Sequence, residues 1–229
     1  MSAAQTISSE SNSTARLWGG GVEPFGASYG KLMMWFFLLS DAFTFSALLL
    51  AYAALRFSAA SWPVPDEVFS AIPLIHGKFP LVFVGIMTFI LIASSVTMVL
   101  AVEAGHRGAR KEVVKWMIYT IIGGLMFLGC QAWEWTHLHH DGAWWGSNPF
   151  QNADGTPGMV NFTNLFFTIT GFHGFHVFSG VVINIIITIM TATGVFDRRG
   201  TYETIEKVGL YWHFVDLVWV FVFTLFYLI

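Results

Sequence analysis

The sequence predicts an all-α, polytopic membrane protein, folded as a bundle of five transmembrane helices. Its 229 residues are 55% hydrophobic and only 11% charged, whereas soluble domains contain about 25% charged residues. Five apolar stretches are each about 20 residues long or longer, which is enough to cross the hydrocarbon core of a bilayer. We place these spans at about residues 32–55, 79–102, 116–135, 164–190 and 208–228.

The first polar segments define the domain boundaries. Residues 1–30 are rich in Ser, Ala, Gly and Thr. They predict a polar N-terminal tail rather than a signal peptide, because the apolar central region of a signal peptide is missing. The transmembrane domain then covers residues 31–229. The linker after the first span contains prolines that exclude a continuous helix into the second span: Pro63, Pro65 and Pro73.

The basic residues predict the orientation of the five spans. Most Lys and Arg residues lie in the tail, in the second connection or in the fourth connection: Arg16, Lys31, Arg107, Arg110, Lys111, Lys115, Arg198, Arg199 and Lys207. The positive-inside rule therefore places the N-terminus in the cytoplasm and the C-terminus outside.

Two carboxylates lie at similar depth in the first and last spans. Asp41 and Asp216 are both about 12–14 Å from the cytoplasmic face by helical rise. A charge at membrane depth costs at least about 2.5–3.5 kcal/mol, so each carboxylate needs a partner. We interpret Asp216 as a packing or docking anchor, bonded to His213 or to an indole N–H of the same helical stripe. For Asp41 a packing role and a functional role both stay open.

The third span ends in polar residues that share one helical stripe. Gln131 and Glu134 lie on this stripe with Gly124 and Phe127. Glu134 is near the outer end, where its side chain can snorkel to water, so we expect a structural role. The run of histidines and an aspartate over residues 137–141 is expected to form a solvated surface loop without a fixed scaffold for a metal.

The fourth span carries two histidines on one face. His173 and His176 are three residues apart, and they are either structural or ligands of haem, copper or zinc. A haem held by two histidines would pair His173 with His213, but these residues lie in opposite halves of the membrane. The single cysteine, Cys130, excludes an internal disulfide and a cysteine-based metal cluster.

Four motifs occur in a fixed order along the chain. They are Trp-Phe-Phe-Leu-Leu-Ser-Asp at 35–41, Gly-Cys-Gln-Ala-Trp-Glu at 129–134, Thr-Gly-Phe-His-Gly-Phe-His-Val at 170–177 and Tyr-Trp-His-Phe-Val-Asp-Leu-Val-Trp at 211–219. Together they resemble the motifs of subunit III of haem–copper terminal oxidases, the cytochrome c oxidase subunit 3 family. Glu206 resembles the acidic residue that leads into the last helix of that family. With five spans, the chain is similar to the shorter bacterial form that lacks the first two of seven helices.

The resemblance implies an accessory subunit with no catalytic centre of its own, in an oxidase that reduces oxygen to water and pumps protons. It implies packing against subunit I, which carries the haems and copper, and support of its stability, lipid environment and proton uptake. Other oxidase subunits, phospholipids and a respiratory supercomplex are further expected partners, and nucleic acid is not. The implied location is the bacterial cytoplasmic (inner) membrane. The family-motif positions with buried polar side chains are Asp41, Gln131, Glu134, His173, His176, Glu206, His213 and Asp216, and none is expected to be catalytic or to bind a cofactor or metal.

Two alternatives from other functional classes remain. A membrane cytochrome of the cytochrome b type would hold its own haem on His173, His176 or His213. A proton-coupled transporter would use Asp41 and Asp216 as proton sites, although the sequence shows neither the repeats nor the broken helices that transporters usually have.

Overall fold

A computed structural model describes residues 27–69 and 81–229 of the chain. The membrane helices are α1 (Tyr29–Ser58), α2 (Val82–His106), α3 (Arg110–His140), α4 (Val160–Ala192) and α5 (Glu203–Phe223), and a π-helical turn (Thr224–Leu228) continues α5. Each is long and apolar enough to cross a membrane, so the prediction of an all-α protein with five spans is confirmed. Most of the predicted tail, and the start of the second span at residue 79, lie outside the described residues.

The helices extend beyond the predicted spans because their polar ends form hydrogen bonds and ion pairs of their own. The connection between α2 and α3 is only three residues long, and Gly108 takes a positive φ of 68° there. Arg107 forms ion pairs with Glu103 at 2.9 Å and with Glu112 at 2.8 Å. One-turn helices, Pro65–Val68 and Val195–Arg199, lie in the longer connections.

The expectation of a loop over residues 137–141 is wrong. His137, His139 and His140 lie in the last turn of α3, and Asp141 follows as its C-cap. The helix continues this far because no Gly or Pro lies between Gly129 and Gly142, and the positive φ of 91° at Gly142 ends it. The His137 ring also lies 3.2 Å from the Asp141 carboxylate, four residues later on the same helical face.

The described chain divides into two compact units after Asp41, inside α1. The first unit contains the beginning of α1, where the carbonyl of Ser28 accepts hydrogen bonds from the backbone N–H groups of Lys31 and Leu32. The second unit contains the rest of α1 and the other four membrane helices. All the packing described below is within the second unit.

Helices α2, α3, α4 and α5 pack as a closed four-helix arrangement in the second unit. Helix α2 lies against α3 and α5, and α4 lies against the same two helices. Small residues allow these helices to approach closely, as in other membrane bundles. A Cβ atom on Gly124 of α3 would lie 2.6 Å from the Trp212 ring of α5, and one on Gly180 of α4 would lie 3.0 Å from it. The indole is therefore held between two glycines.

The loop between α3 and α4 closes one end of this arrangement with aromatic side chains. Trp144 and Trp145 contact Phe167 at ring-centroid distances of 5.2 and 5.5 Å, and Trp135 contacts it at 5.2 Å. The Asp154 carboxylate accepts hydrogen bonds from the Thr156 hydroxyl at 2.6 Å and from its backbone N–H at 3.1 Å. These bonds, led by that of the hydroxyl, lower the pKa of Asp154. The tryptophans at this end of the bundle are typical of a membrane interface.

Candidate polar sites inside the bundle

Within the second unit, the structure distributes seven of the eight family-motif residues over separate places. Asp41 lies in the first unit of the chain, and the other seven lie in the second. Two of those seven are on α3, two are on α4 and three are on α5: Gln131, Glu134, His173, His176, Glu206, His213 and Asp216.

Gln131 connects α3 to α4. Its side chain is 6% exposed, and its Nε2 atom donates a 2.7 Å hydrogen bond to the backbone carbonyl of Thr170. Gly174 makes room for it, because a Cβ atom there would lie 3.0 Å from Gln131 Oε1. The Thr170 hydroxyl in turn donates to the Phe166 carbonyl of its own helix. This site fixes the register of two helices.

Glu134 is buried and paired, so the expectation that it snorkels to water is wrong. The carboxylate is 5% exposed, and the Tyr227 hydroxyl lies 3.0 and 3.2 Å from its two oxygens and donates to it. Helix α3 continues beyond Glu134 to His140, which leaves the carboxylate well below the end of the helix. The ring of Phe69, from the linker after α1, contacts Tyr227 at 4.3 Å and covers it. Sequence reasoning missed Tyr227, although it is a polar side chain near the end of the last span.

His173 lies in a box of aromatic rings. The imidazole is fully buried and stacks on Trp219 at a centroid distance of 5.2 Å, with Phe127 edge-on at 5.8 Å and Phe45 at 6.4 Å. Neither ring nitrogen has a hydrogen-bond partner in the part of the chain that the structure describes. These rings enclose the imidazole, so a porphyrin does not fit beside it.

His176 interacts mainly with its own helix. Its Nδ1 atom lies 2.8 Å from the Phe172 carbonyl, and its ring contacts Phe172 at 4.6 Å. Over residues 27–69 and 81–229, no three His, Cys, Asp or Glu side chains are grouped as they would be to hold a metal ion. Both histidines of the fourth span contact the ring of Phe45, at centroid distances of 6.4 and 5.3 Å.

The polar stripe of α5 bonds to hydroxyl groups of α2. The Trp212 indole N–H donates to Ser94 Oγ at 2.9 Å, and that of Trp219 donates to Thr88 Oγ1 at 3.0 Å. Both indoles are buried, with 1% and 0% of their surface exposed. Sequence reasoning missed these partners. Their signal was present as two hydroxyl residues, six positions apart, in a predicted span without any charge.

Ser95 of α2 meets His213 of α5, and its hydroxyl lies 2.6 Å from His213 Nδ1. Among the described residues no hydrogen bond joins Asp216 to His213 or to an indole, and Asp216 Oδ1 is buried without a partner. The expected bond from Asp216 to His213 or to an indole is therefore wrong. The nearby indoles of Trp212 and Trp219 already donate to hydroxyl groups of α2, and His213 Nδ1 is engaged with Ser95.

Glu206 lines a cavity of about 650 Å³ at the end of the bundle where α2 meets the beginning of α5. Tyr202, from the connection before α5, also lines it and donates a hydrogen bond to the Asp197 carboxylate. Burial, with a smaller contribution from Asp197, raises the pKa of Tyr202 to about 12. Glu206 thus lies on a charged, water-accessible end of the helix rather than inside the membrane core.

Comparison with known proteins assigns this arrangement to a family. The model of the family described as "Cytochrome c oxidase subunit III" matches residues 22–229. "Quinol oxidase subunit 3" of Bacillus spizizenii is 36% identical over 203 residues, which cover 86% of this chain and 85% of that protein. "Cytochrome c oxidase subunit 3" of Alkalihalophilus pseudofirmus is 33% identical, covering 86% and 85%. "Cytochrome bo(3) ubiquinol oxidase subunit 3" of Pseudomonas aeruginosa is 30% identical, covering 85% and 82%. The chain therefore belongs to the cytochrome c oxidase subunit III family.

Proposed function

We propose that this chain is the accessory, non-catalytic subunit III of a respiratory haem–copper oxidase, a complex that reduces oxygen to water and pumps protons. The observation that carries the proposal is the family match over residues 22–229, which includes all five helices and all eight motif residues. Membership of a family of oxidase subunits implies assembly with other oxidase subunits. In this function the chain contributes structure, and the redox centres belong to its partners.

The internal contacts support a structural role for the motif residues. Glu134 is held by Tyr227, Gln131 by the Thr170 carbonyl and His213 by the Ser95 hydroxyl. In hydrocarbon such hydrogen bonds each contribute about 0.6–2 kcal/mol to helix association. They fasten α2, α3, α4 and α5 to one another, which produces a rigid surface for a partner.

The histidines do not support the alternative of a resident haem. His173 is enclosed by aromatic rings, His176 bonds to its own helix, and His213 Nδ1 is bonded to Ser95. Each ring is thus engaged by a different set of neighbours, which supports a chain without its own haem.

We further propose that the chain packs against subunit I in the bacterial cytoplasmic membrane, with its N-terminus in the cytoplasm. The distribution of basic residues supports this orientation. An apolar groove of about 400 Å³ between α1 and α5, lined by residues such as Phe45, Leu49 and Leu217, supports the association of phospholipid. Asp41, in the helix that resembles the family's buried-acid helix, is proposed to assist proton uptake by subunit I.

Purification of the complex tests the proposal. We expect the tagged chain, extracted in mild detergent, to co-purify with subunits that carry haem and copper and to confer oxygen reduction on the preparation. The chain expressed alone should show no stoichiometric haem absorption band. A band of that size would support the membrane cytochrome, and proton-driven uptake into liposomes by the chain alone would support the transporter.

A further inference from the structure

A small internal cavity lies beside the Glu134 carboxyl group. Its volume is about 10 Å³, and it is lined by residues of α2, of α3 and of the linker after α1. Most of its wall is apolar and at most 7% exposed: Val68, Phe69, Phe83, Val84 and Leu138. Trp133, Glu134 and His137 complete the wall. A cavity of this volume has about the space that one water molecule needs, provided that polar groups are there to bond it.

Glu134 has hydrogen-bonding capacity beyond its bond with Tyr227. The Tyr227 hydroxyl has a single hydrogen, which the two carboxyl oxygens of Glu134 share at 3.0 and 3.2 Å. An ionised carboxyl group accepts about four hydrogen bonds, and a protonated one also donates one. Buried polar groups with capacity of this kind are the usual partners of internal water molecules.

His137 supplies the second polar partner. It follows Glu134 by three residues, which places the two side chains on one face of α3. Its Nδ1 atom lies 3.2 Å from the Asp141 carboxylate, and a hydrogen on Nδ1 directed to that carboxylate leaves Nε2 of the neutral ring as an acceptor. The His137 side chain is 41% exposed, in contrast to the apolar wall. The imidazole therefore joins the cavity to the solution at this end of the bundle.

We propose that the cavity is a binding site for one water molecule, which bridges the Glu134 carboxyl group to His137 Nε2 and exchanges protons between them. In the exchange, the protonated carboxyl group gives its proton to the water oxygen, and the water gives one of its own protons to Nε2. Glu134 thus loses one proton and the imidazole gains one, which it then releases to the solution. The inference goes beyond the proposed function, because it concerns the interior of this chain, alone or in a complex.

The other titratable groups beside Glu134 are less suited to this exchange. Tyr227, from the π-helical turn, is 1% exposed and is covered by Phe69. Cys130 lies one turn before Glu134 on α3, further from the end of the helix. The linker and α2 contribute only apolar side chains to the wall of the cavity. His137 is therefore the group through which a proton can pass from Glu134 to the solution.

Infrared spectroscopy of the full chain in mild detergent measures the exchange. The C=O stretching band of protonated Glu134 is the band that Glu134→Gln lacks, and its shift after transfer to heavy water gives the exchange rate. Val84→Ile adds a methylene group to the wall and excludes the water, whereas Val113→Ile makes the same change at a buried valine outside the cavity. We expect exchange to be slower by about tenfold or more in Val84→Ile, which corresponds to one lost hydrogen bond. Equal rates would overturn the inference, as would the absence of the Glu134 band at every pH at which the chain stays folded.

Replacement of His137 tests the bridge without any change in the apolar wall. His137→Phe keeps a ring against Trp133, which the imidazole contacts at a centroid distance of 5.4 Å, and removes both nitrogens. His140→Phe is the control, because His140 is exposed at the same end of α3 and does not line the cavity. We expect exchange at Glu134 to be slower by about tenfold or more in His137→Phe than in His140→Phe. If Val84→Ile slows the exchange and His137→Phe does not, His137 is not the partner and the proposed bridge is wrong.

Discussion

Replacement of Tyr227 by phenylalanine removes the hydroxyl that donates a hydrogen bond to the buried carboxyl group of Glu134. That hydroxyl lies 3.0 Å from one oxygen of Glu134, and the two side chains are 1% and 5% exposed. A buried acceptor that loses its only donor costs about 1–3 kcal/mol of stability, and more if the acceptor is charged. For a chain of this size, 1 kcal/mol corresponds to about 2–4 °C in melting temperature. We therefore expect Tyr227→Phe to lower the melting temperature by about 2–12 °C.

The assay is thermal unfolding of the purified chain, or of its complex, in one mild detergent. Tyr119→Phe is the matched control, because Tyr119 lies on α3 with 49% of its surface exposed. Glu134→Leu combined with Tyr227→Phe should recover part of the loss, since removal of both polar partners leaves no unsatisfied group. If Tyr227→Phe melts at the same temperature as Tyr119→Phe, Glu134 does not depend on this hydroxyl and the reasoning fails.

Three further predictions follow from other contacts. Gly124→Val should destabilise the bundle by about 1–3 kcal/mol, because a Cβ atom there would lie 2.6 Å from the Trp212 ring. Gly129→Val is the control, since there is open space around Gly129. Equal melting temperatures of the two variants in thermal unfolding would contradict the close packing at Gly124. Hydrogen bonds from Thr156 lower the pKa of Asp154 below 3.8. Their stabilisation of the loop is therefore present above pH 3.8 and is lost as the pH falls through the lowered pKa. Hydrogen exchange of the loop should show this loss in the unaltered chain and not in Asp154→Asn. Asp41→Ala should leave the complex assembled but shorten its turnover lifetime, and an unchanged lifetime across about pH 6–9 would remove the proposed role in proton uptake.

The helices were predictable because membrane thickness constrains their length and composition. Five apolar stretches with few charges can satisfy their backbone hydrogen bonds in lipid only as helices, and all five are present. The ends of the helices were less predictable. Beyond the hydrocarbon core a helix can continue when its charged residues form ion pairs one turn apart. The pair Glu103–Arg107, four residues apart at the end of α2, shows this effect. The same effect extends α3 through His137 and its partner Asp141.

The sequence also predicted which polar side chains share one face of a helix, but it did not predict their hydrogen-bond partners on other helices. Helical periodicity placed Gln131 and Glu134 on one face of α3, and both are buried. It gave no information about which residue of another helix would meet that face. Tyr227 is 93 residues away from Glu134 along the chain. Such a pair depends on the relative rotation and depth of two helices, which the spacing within either helix does not determine.

The second span illustrates why small hydroxyl residues were overlooked. It has no charge, and a hydroxyl on a helix can satisfy itself by bonding to the carbonyl four residues earlier, as Thr88 does with Val84. A serine or threonine is therefore compatible with lipid and with protein alike. In the fold, Thr88, Ser94 and Ser95 all meet polar groups of α5. In two of these contacts the donor is a buried indole N–H, that of Trp212 or Trp219. The third joins Ser95 to the imidazole of His213, and both residues are partly exposed. The same kind of residue therefore meets an indole in the interior of the bundle and an imidazole at its margin, and the sequence of α2 alone does not distinguish the two.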